Sequence, residues 1–299
     1  MLDLMFPYSY IAIWLGVFIG IGITAACIGL FSSAILMVCI SLGMIRIMPL
    51  FNLMDRIIRT TFPGEISRVE ENIRDSFKVT SSSELEGRNI FMWHPHGVFP
   101  TSLYFHTASQ LTNSPEALKL SKTVAFSNLQ WLPFTNEIFH QTNIIPSDYH
   151  SMKAALEEGH SISLSPGGMR EMLYEDTTIL ARRRGIFKMA LETGTPLVPV
   201  ISMGEADLCK GVELPGWFQA ALEPYDACIP VPTWKTVCRF LGISQNPLKD
   251  PILTVLGEPI KVDKLENPTE AQISDLRNRY IKTLSAMYKK EIGQDLRII

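Results

Sequence analysis

Charged side chains are absent from a long segment near the N-terminus. No Asp, Glu, Lys or Arg occurs from Leu4 to Ile45. About 20 apolar residues are enough to cross the hydrocarbon of a bilayer, and the apolar core of a signal peptide is shorter than this segment. The absence of charge therefore predicts a transmembrane helix or a helical hairpin, with a buried helix of a soluble domain as the alternative.

The chain also has little that is typical of a secreted or a nucleic-acid-binding protein. A formal net charge of −3 over 299 residues gives no overall basic field, so a nucleic-acid partner is not expected. The five cysteines have neither metal-ligand spacing nor a disulfide framework, which favours reduced thiols. Asn267 is followed by proline, and no usable glycosylation sequon occurs elsewhere. These absences fit a domain on the cytosolic side of a membrane.

The basic residues after the charge-free segment agree with that orientation. Asp3 is the only charge before the segment, whereas Arg46, Arg56 and Arg59 follow it. By the positive-inside rule, the part of the chain after the segment is expected to face the cytosol.

The remainder of the chain predicts three parts and an α/β fold. Residues 1–48 are expected to be membrane-embedded, 49–86 to form a connector, and 87–299 to form an α/β domain. Predicted strands lie at 89–93, 123–127, 161–164, 196–202 and 252–256, and predicted helices at 147–158 and 183–193. A terminal helix begins after Pro268 and places apolar residues on one face, namely Ile273, Leu276, Ile281, Leu284 and Met287. This alternation of strands and helices is typical of a largely parallel sheet.

Three of the predicted strands end in polar turns that contain glycine. The turns are His94-Pro95-His96-Gly97, residues 166–171 and Gly204-Glu205. In an open parallel sheet the carboxyl ends of the strands lie at one edge, where ligands usually bind. Two imidazoles at a strand end are suited to general-base chemistry. The pattern thus predicts one cleft with a base, a glycine-rich loop and a carboxylate.

Four blocks of this chain, in this order, resemble the type-2 diacylglycerol acyltransferase family, which includes monoacylglycerol and wax-alcohol acyltransferases. The blocks are Phe91-Met92-Trp93-His94-Pro95-His96-Gly97, Pro166-Gly167-Gly168-Met169-Arg170-Glu171, Arg183-Arg184-Gly185-Ile186-Phe187-Lys188-Met189-Ala190 and Leu197-Val198-Pro199-Val200-Ile201-Ser202-Met203-Gly204-Glu205. The resemblance covers roughly residues 87–256. It implies a glycerolipid-acyltransferase-like domain that transfers a fatty acyl group from acyl-CoA to diacylglycerol and forms triacylglycerol.

The resemblance also implies the setting of the reaction. Monoacylglycerol or a long-chain alcohol are alternative acceptors within the same family. Acyl-CoA is expected as a co-substrate, with no cofactor and no metal, and membrane lipid as a partner; a homo-oligomer is left open. The expected location is the endoplasmic reticulum membrane, with the catalytic domain facing the cytosol.

The catalytic roles that the resemblance implies centre on the two histidines. His96 is the expected base, because the His-x4-Asp pattern of the broader glycerolipid acyltransferases aligns with it. Thr101 occupies the place of the aspartate, so another group must orient the imidazole. His94 is the second candidate for the base or a hydrogen-bonding partner. Glu171 or Glu205 is expected to orient an imidazole, with a purely structural carboxylate as the alternative.

Further residues are predicted to bind the acyl donor. Gly97, Gly167 and Gly168 would let backbone N–H groups approach the thioester and stabilise its oxyanion. Phosphate groups of coenzyme A, or anionic lipid headgroups, would contact basic residues, namely Arg170, Arg183, Arg184 and Lys188. A solvated basic face is the alternative for the last three.

Two other classes of function remain open from the residues alone. A metal hydrolase would use His94 and His96 as ligands, completed by Glu205 or Asp207. A non-catalytic lipid-binding or scaffold protein would retain lipid binding after both histidines were replaced. The other four histidines, His106, His140, His150 and His160, are scattered and are predicted to have ordinary structural roles.

Overall fold

The structure, a computed structural model, describes most of the chain after the charge-free segment. The described residues are 48–81, 84–94, 100–107, 112–127, 143–168, 178–179, 183–205, 209–211, 230–232 and 251–298. The segment that predicts a membrane span therefore lies outside the described residues. Within the described part, no helix combines the length and the apolar character needed to cross a membrane.

Six strands make up the body of the main sheet, and a seventh forms one of its edges. The body strands are β2 (Ile90–His94), β3 (Lys122–Ala125), β4 (Ile144–Pro146), β5 (Ile162–Leu164), β7 (Leu197–Met203) and β10 (Ile252–Leu256), and the edge strand is β1 (Phe77–Ser81). Their order is β1-β10-β7-β2-β5-β3-β4. Every neighbouring pair is parallel except β10 and β7, which are antiparallel. The predicted largely parallel sheet is confirmed.

The sheet reaches further towards the N-terminus than the predicted domain start at Gly87. Residues 49–86 were expected to be a connector, but they contain α1 (Met48–Thr61), α2 (Pro63–Ser76) and β1. Pro63 opens α2 in the first helical turn, where its missing N–H costs nothing. Only the first residue of β1 is buried. The other positions of this edge strand are exposed or half-buried and mostly polar, and this polar composition is the reason that the segment was expected to be a connector.

Among the described residues, five helices follow the N-terminal pair and cover the two faces of the sheet. They are α3 (Thr101–Thr107), α4 (Glu116–Lys119), α5 (Tyr149–Glu157), α6 (Gly185–Thr193) and α7 (Glu270–Ile292). Helices α5, α6 and α7 pack on the face that carries Ile90 and Met92. Helices α3 and α4 pack on the opposite face, which carries Phe91 and Trp93. The alternation of side chains along β2 thus divides the core into two layers.

The ends of the helices follow from local sequence. Asp148 caps α5 through a hydrogen bond from the Ser151 N–H, so the cap lies one residue after the predicted helix start at residue 147. Gly194 ends α6 in the left-handed conformation, directly after the predicted helix end at residue 193. Thr269 and Gln272 form a reciprocal capping box at the start of α7.

The buried face of α7 differs from the prediction at two positions. The buried residues are Ile273, Leu276, Tyr280, Leu284 and Tyr288. Ile281 and Met287 were expected on this face but are only half-buried. The four-residue spacing from Leu276 onwards selects the two tyrosines, whose rings supply a large apolar area while the hydroxyl keeps a polar contact.

Two short strand pairs lie apart from the main sheet. Strands β6 (Thr178–Ile179) and β11 (Arg297–Ile298) are parallel. Strands β8 (Cys209–Gly211) and β9 (Pro230–Pro232) are antiparallel. Neither pair belongs to the seven-stranded sheet.

Candidate active site

Three neighbouring strands bring the turns that carry the described site residues to one edge of the sheet. Strands β7, β2 and β5 are adjacent and mutually parallel. The register pairs Met92 with Leu164 at the end of β5, and His94 with Ile201 near the end of β7. The histidine, the turn at residues 165–168 and the Gly204-Glu205 turn therefore leave the sheet at the same edge, as the sequence predicts.

His94 is held between the sheet and the C-terminal helix. Its side chain is buried and lies on the face of β2 that carries Ile90 and Met92. The imidazole and the ring of Tyr280 have centroids 6.0 Å apart. The Tyr280 hydroxyl donates a hydrogen bond to the Met92 carbonyl at 3.4 Å. An aromatic side chain from α7 consequently packs beside this histidine.

Tyr280 is a site residue that the sequence reasoning missed. Its ring also meets Phe187 of α6 edge-on, with centroids 5.7 Å apart. The four-residue spacing of buried positions in α7 was the available signal, but spacing identifies a buried face without naming its partner.

Glu205 is buried and directs its described hydrogen bonds to α3 and β7. Its Oε1 accepts from the backbone N–H of Ser102 at 2.7 Å and from the Ser202 hydroxyl at 3.3 Å. The Ser202 hydroxyl also bonds with the hydroxyl of Ser102 and, at 3.1 Å, with that of Thr254. The carboxylate thus joins the end of β7 to the first turn of α3, on the face opposite to His94.

The predicted glycine-rich loop forms a tight turn after β5. The Gly168 N–H donates to the Ser165 carbonyl at 3.1 Å, and Gly168 has φ of +60°. A Cβ at Gly168 would lie 2.8 Å from Nη2 and 3.1 Å from Nη1 of Arg183. The guanidinium of Arg183 therefore lies across this glycine, at the edge of the sheet where the other site residues meet.

The structure describes two further residues of the predicted basic cluster, Arg184 and Lys188, and both have acidic partners. Arg184 forms an ion pair with Glu270 at 2.8 Å and a hydrogen bond with Ser274, both at the start of α7. Lys188 lies 3.6 Å from Glu192 one turn along α6. Within the part of the chain that the structure describes, no carboxylate forms an ion pair with Arg183. The basic cluster thus separates into one residue at the turn, one that joins the start of α6 to α7, and one that pairs within α6.

Four predicted site residues lie outside the described residues, and their roles stay predictions. These are His96, Gly97, Arg170 and Glu171. The described residues contain no group of three or more His, Cys, Asp or Glu side chains arranged to hold a metal ion.

A second buried histidine lies behind the strand that carries His94. His106 stacks on Trp93 with centroids 5.9 Å apart, and its Nδ1 lies 2.7 Å from the Ser114 hydroxyl. Burial, together with the positive charge of Lys119, lowers the pKa of His106 to about 3. The ring is therefore neutral at physiological pH and serves as a packed polar group in the core.

Comparison with known proteins supplies the family. Acyl-CoA wax alcohol acyltransferase 2 of Homo sapiens is 26% identical over 242 residues, which cover 70% of this chain and 69% of the relative. Diacylglycerol O-acyltransferase 2 of Xenopus laevis is 28% identical over 244 residues, which cover 73% of this chain and 65% of the relative. The chain thus spans about two thirds of the length of these relatives.

A solved structure, the 1-acyl-sn-glycerophosphate acyltransferase of Thermotoga maritima, aligns with a TM-score of 0.43 and 12% sequence identity. The alignment covers 76% of this chain and 79% of that one.

The two curated relatives are acyltransferases, and the described sheet ends in a histidine at the edge where ligands usually bind. Together these findings place the chain in the class of acyltransferases. The model of the diacylglycerol acyltransferase family matches residues 70–294. The chain belongs to that family, as its four sequence blocks predict.

Proposed function

We propose that this chain transfers a fatty acyl group from acyl-CoA to the free hydroxyl of diacylglycerol and so forms triacylglycerol. The observation that carries the proposal is the burial of His94 at the carboxyl end of β2, beside strands that end in a glycine turn and a buried glutamate. The names of several relatives, including the Xenopus laevis enzyme, supply the acceptor.

The reaction needs a base and a site for a developing oxyanion. An imidazole of the His94–His96 pair, with His96 preferred, takes the proton of the acceptor hydroxyl, and the oxygen attacks the thioester carbonyl carbon. The tetrahedral intermediate then collapses, the carbon–sulfur bond breaks, and the coenzyme A thiolate takes the proton from the imidazolium. General-base catalysis of this kind contributes about 10²–10⁴-fold. Backbone N–H groups at Gly97 and Gly167 are the proposed donors to the oxyanion. The Gly168 N–H, which was also expected as a donor, already bonds to the Ser165 carbonyl.

The acyl donor is proposed to bind through Arg183. Its guanidinium lies across Gly168 and forms no ion pair with a carboxylate of the described residues. A guanidinium contacts phosphate oxygens through two parallel hydrogen bonds, which suits the charged end of acyl-CoA. Arg184 and Lys188 remain in the proposal as weaker contributors, because each already contacts a glutamate.

A long-chain alcohol is the second candidate acceptor. The similarity to a wax alcohol acyltransferase of Homo sapiens supports it at nearly the same identity as the diacylglycerol enzymes. Both acceptors present a hydroxyl to the same base, so the chemistry at the histidines is shared.

The proposed location is the endoplasmic reticulum membrane, with the α/β domain on the cytosolic side. The charge-free segment from Leu4 to Ile45 precedes α1 directly. Four exposed large apolar side chains lie within or just after α1, namely Leu53, Ile57, Ile58 and Phe62. An amphipathic helix beside a membrane segment is suited to the lipid interface, where the acceptor resides.

The decisive experiment is acyl transfer by membranes that contain the full chain. Labelled acyl-CoA would be offered with diacylglycerol, monoacylglycerol, a lysophospholipid and a fatty alcohol in separate reactions. The proposal expects the highest turnover with diacylglycerol. Highest turnover with the fatty alcohol would favour the second candidate, and turnover with the lysophospholipid alone would contradict both.

A further inference from the structure

Helix α1 presents apolar side chains to the outside and a polar side chain to the rest of the protein. Leu53, Ile57 and Ile58 are 41–53% exposed. Arg59, on another side of the helix, forms an ion pair with Glu70 of α2 at 3.3 Å. An amphipathic helix of a water-soluble domain has the opposite arrangement, because its apolar stripe faces the core. The outer side of α1 is therefore suited to an apolar environment outside the chain.

Helix α2 connects α1 to the sheet at the edge where β2 ends in His94, called the histidine edge below. Strand β1 starts directly after α2, and its register pairs Phe77 with Ile252. Ile252 opens β10, whose next residue pairs with Met203 at the end of β7. Because β7 is parallel to β2, the C-terminal end of α2 lies at the histidine edge.

The α1–α2 hairpin (residues 48–76) is attached firmly to the domain. Val69 and Ile73 of α2 are buried. Phe77, the residue after α2, packs on Phe105 of α3 with ring centroids 4.4 Å apart. The surface on which α1 rests therefore determines how the whole domain is oriented.

A second segment exposes an apolar side chain at the same edge. Phe126 follows β3 directly and is exposed. Strand β3 is parallel to β5, and β5 is parallel to β2, so β3 also ends at the histidine edge. Leu120 is exposed as well, but it precedes β3 and so lies at the opposite edge. These two residues consequently distinguish the two edges of the sheet in an experiment.

The neighbouring sequence indicates that the apolar partner is lipid. The charge-free segment from Leu4 to Ile45, which is expected to enter a membrane, is separated from α1 by Arg46 and Ile47 alone. Helix α1 has 14 residues and is about 21 Å long, whereas the hydrocarbon of a bilayer is about 30 Å thick. A helix of this length and character is suited to the plane of the interface, where the exposed Arg56 can contact headgroups.

We propose that α1 lies in the plane of the bilayer interface and that the α1–α2 hairpin thereby holds the histidine edge of the sheet against the membrane. The four side chains placed among the acyl chains are Leu53, Ile57, Ile58 and Phe62. An acceptor dissolved in the bilayer then reaches the site directly from the lipid. The inference rests on the proposed function for the identity of the acceptor, and it goes beyond that function by assigning the edge of the domain that faces lipid.

Photolabelling tests this orientation without any turnover. The full chain would be reconstituted in vesicles of phosphatidylcholine and phosphatidylserine that contain a phospholipid with a diazirine in its acyl chain, and the labelled residues would be mapped by mass spectrometry. The proposal expects label on residues 53–62 and on Phe126, with little on Leu120. Absence of label on α1, or label on Leu120 as strong as that on Phe126, would overturn it. Crosslinks between two copies through α1 in place of lipid label would show a dimer face and would overturn it as well.

Substitutions test whether the orientation serves the reaction. Leu53→Gln and Leu120→Gln make the same change at two exposed leucines, and the double variant Leu53→Gln, Ile57→Gln enlarges the effect at α1. With dioleoylglycerol in vesicles, transfer by the double variant should fall at least about tenfold, because two apolar side chains no longer favour the interface. With dihexanoylglycerol, which reaches the enzyme from water, the rate should stay within about twofold of the parent. Leu120→Gln should change neither rate.

The two acceptors also separate docking from damage to the fold. An equal loss with both acceptors in the double variant, or no loss with either, would contradict the docking role. If no acceptor were acylated even by the parent chain, the proposed function would fail, while the photolabelling pattern would still decide the orientation.

Discussion

The guanidinium of Arg183 lies across Gly168, with Nη2 only 2.8 Å from the position that a Cβ would take. A side chain from the segment before α6 thus covers the turn that follows β5, at the edge of the sheet where β2 ends in His94. This contact brings two of the sequence blocks that define the family together at one point.

Replacing Arg183 by glutamine should weaken binding of the acyl donor. One or two charge-assisted hydrogen bonds are worth about 1.5–3 kcal/mol each, so the KM for acyl-CoA should rise at least about tenfold. The KM for diacylglycerol should change little, because that lipid carries no charge. Lys289→Gln is the matched control for loss of one positive charge, since its ion pair with Asp295 is exposed and stabilises the fold only weakly. Equal KM values for acyl-CoA in the parent and in Arg183→Gln would contradict the proposal that Arg183 binds the acyl donor.

Gly168→Ala should also raise the KM for acyl-CoA, because the added methyl group would displace the guanidinium of Arg183. The left-handed backbone at φ +60° also costs a non-glycine residue about 1–2 kcal/mol of folding free energy. Gly87→Ala controls for that strain, because Gly87 has φ of +63° with open space around its Cα. Steady-state kinetics with acyl-CoA, together with thermal unfolding, should show similar destabilisation in both variants but a raised donor constant only in Gly168→Ala. A raised constant in both would point to backbone strain alone.

The contact between Tyr280 and His94 predicts different effects for two substitutions of the tyrosine. Tyr280→Phe removes a long hydrogen bond to the Met92 carbonyl and should cost at most about 1 kcal/mol of stability. Tyr280→Ala should cost about 3–5 kcal/mol, since it leaves a cavity between α7 and β2. Chemical denaturation of both variants measures the difference. Comparable stability losses would mean that the hydroxyl, rather than the ring, holds the helix in place.

The neutral His106 predicts a pH-dependent stability with a definite sign. Its pKa is lowered to about 3 in the folded chain, whereas the unfolded chain binds a proton near the ordinary value of about 6.5. The stabilising effect is complete above that value and decreases as pH falls from 6.5 towards 3, by about 1.4 kcal/mol per pH unit. Unfolding free energies at pH 7, 6 and 5 should therefore decline less steeply in His106→Gln than in the parent. Equal declines of the unfolding free energy in the parent and in His106→Gln would refute the lowered pKa of His106.

Much of the architecture could be predicted from the sequence because strand patterns and glycine stops are local. The strand before His94, the αL stop at Gly194 and the shared edge of three strands all follow from such signals. The antiparallel pairing of β10 with β7 has no local signal, since it depends on how the chain returns to the sheet.

The contacts that organise the site were harder to predict because they join distant segments. Tyr280 approaches His94 from the last helix, and Glu205 bonds to a backbone N–H of α3. The sequence marked Tyr280 as part of a helix and Glu205 as a strand-end carboxylate. Which atom each one meets depends on the packing of α7 and α3 against the sheet, which no pattern within those segments specifies.

The central claim is that a strand-end histidine is the base for acyl transfer from acyl-CoA to diacylglycerol. The most direct test compares the rate of triacylglycerol formation by membranes that contain the parent chain, His96→Ala or His94→Ala. The account predicts a loss of about 10²–10⁴-fold in His96→Ala and an equal or smaller loss in His94→Ala. Membrane retention and the amount of folded protein should match the parent. Near-parent turnover in His96→Ala would contradict the assignment of the base.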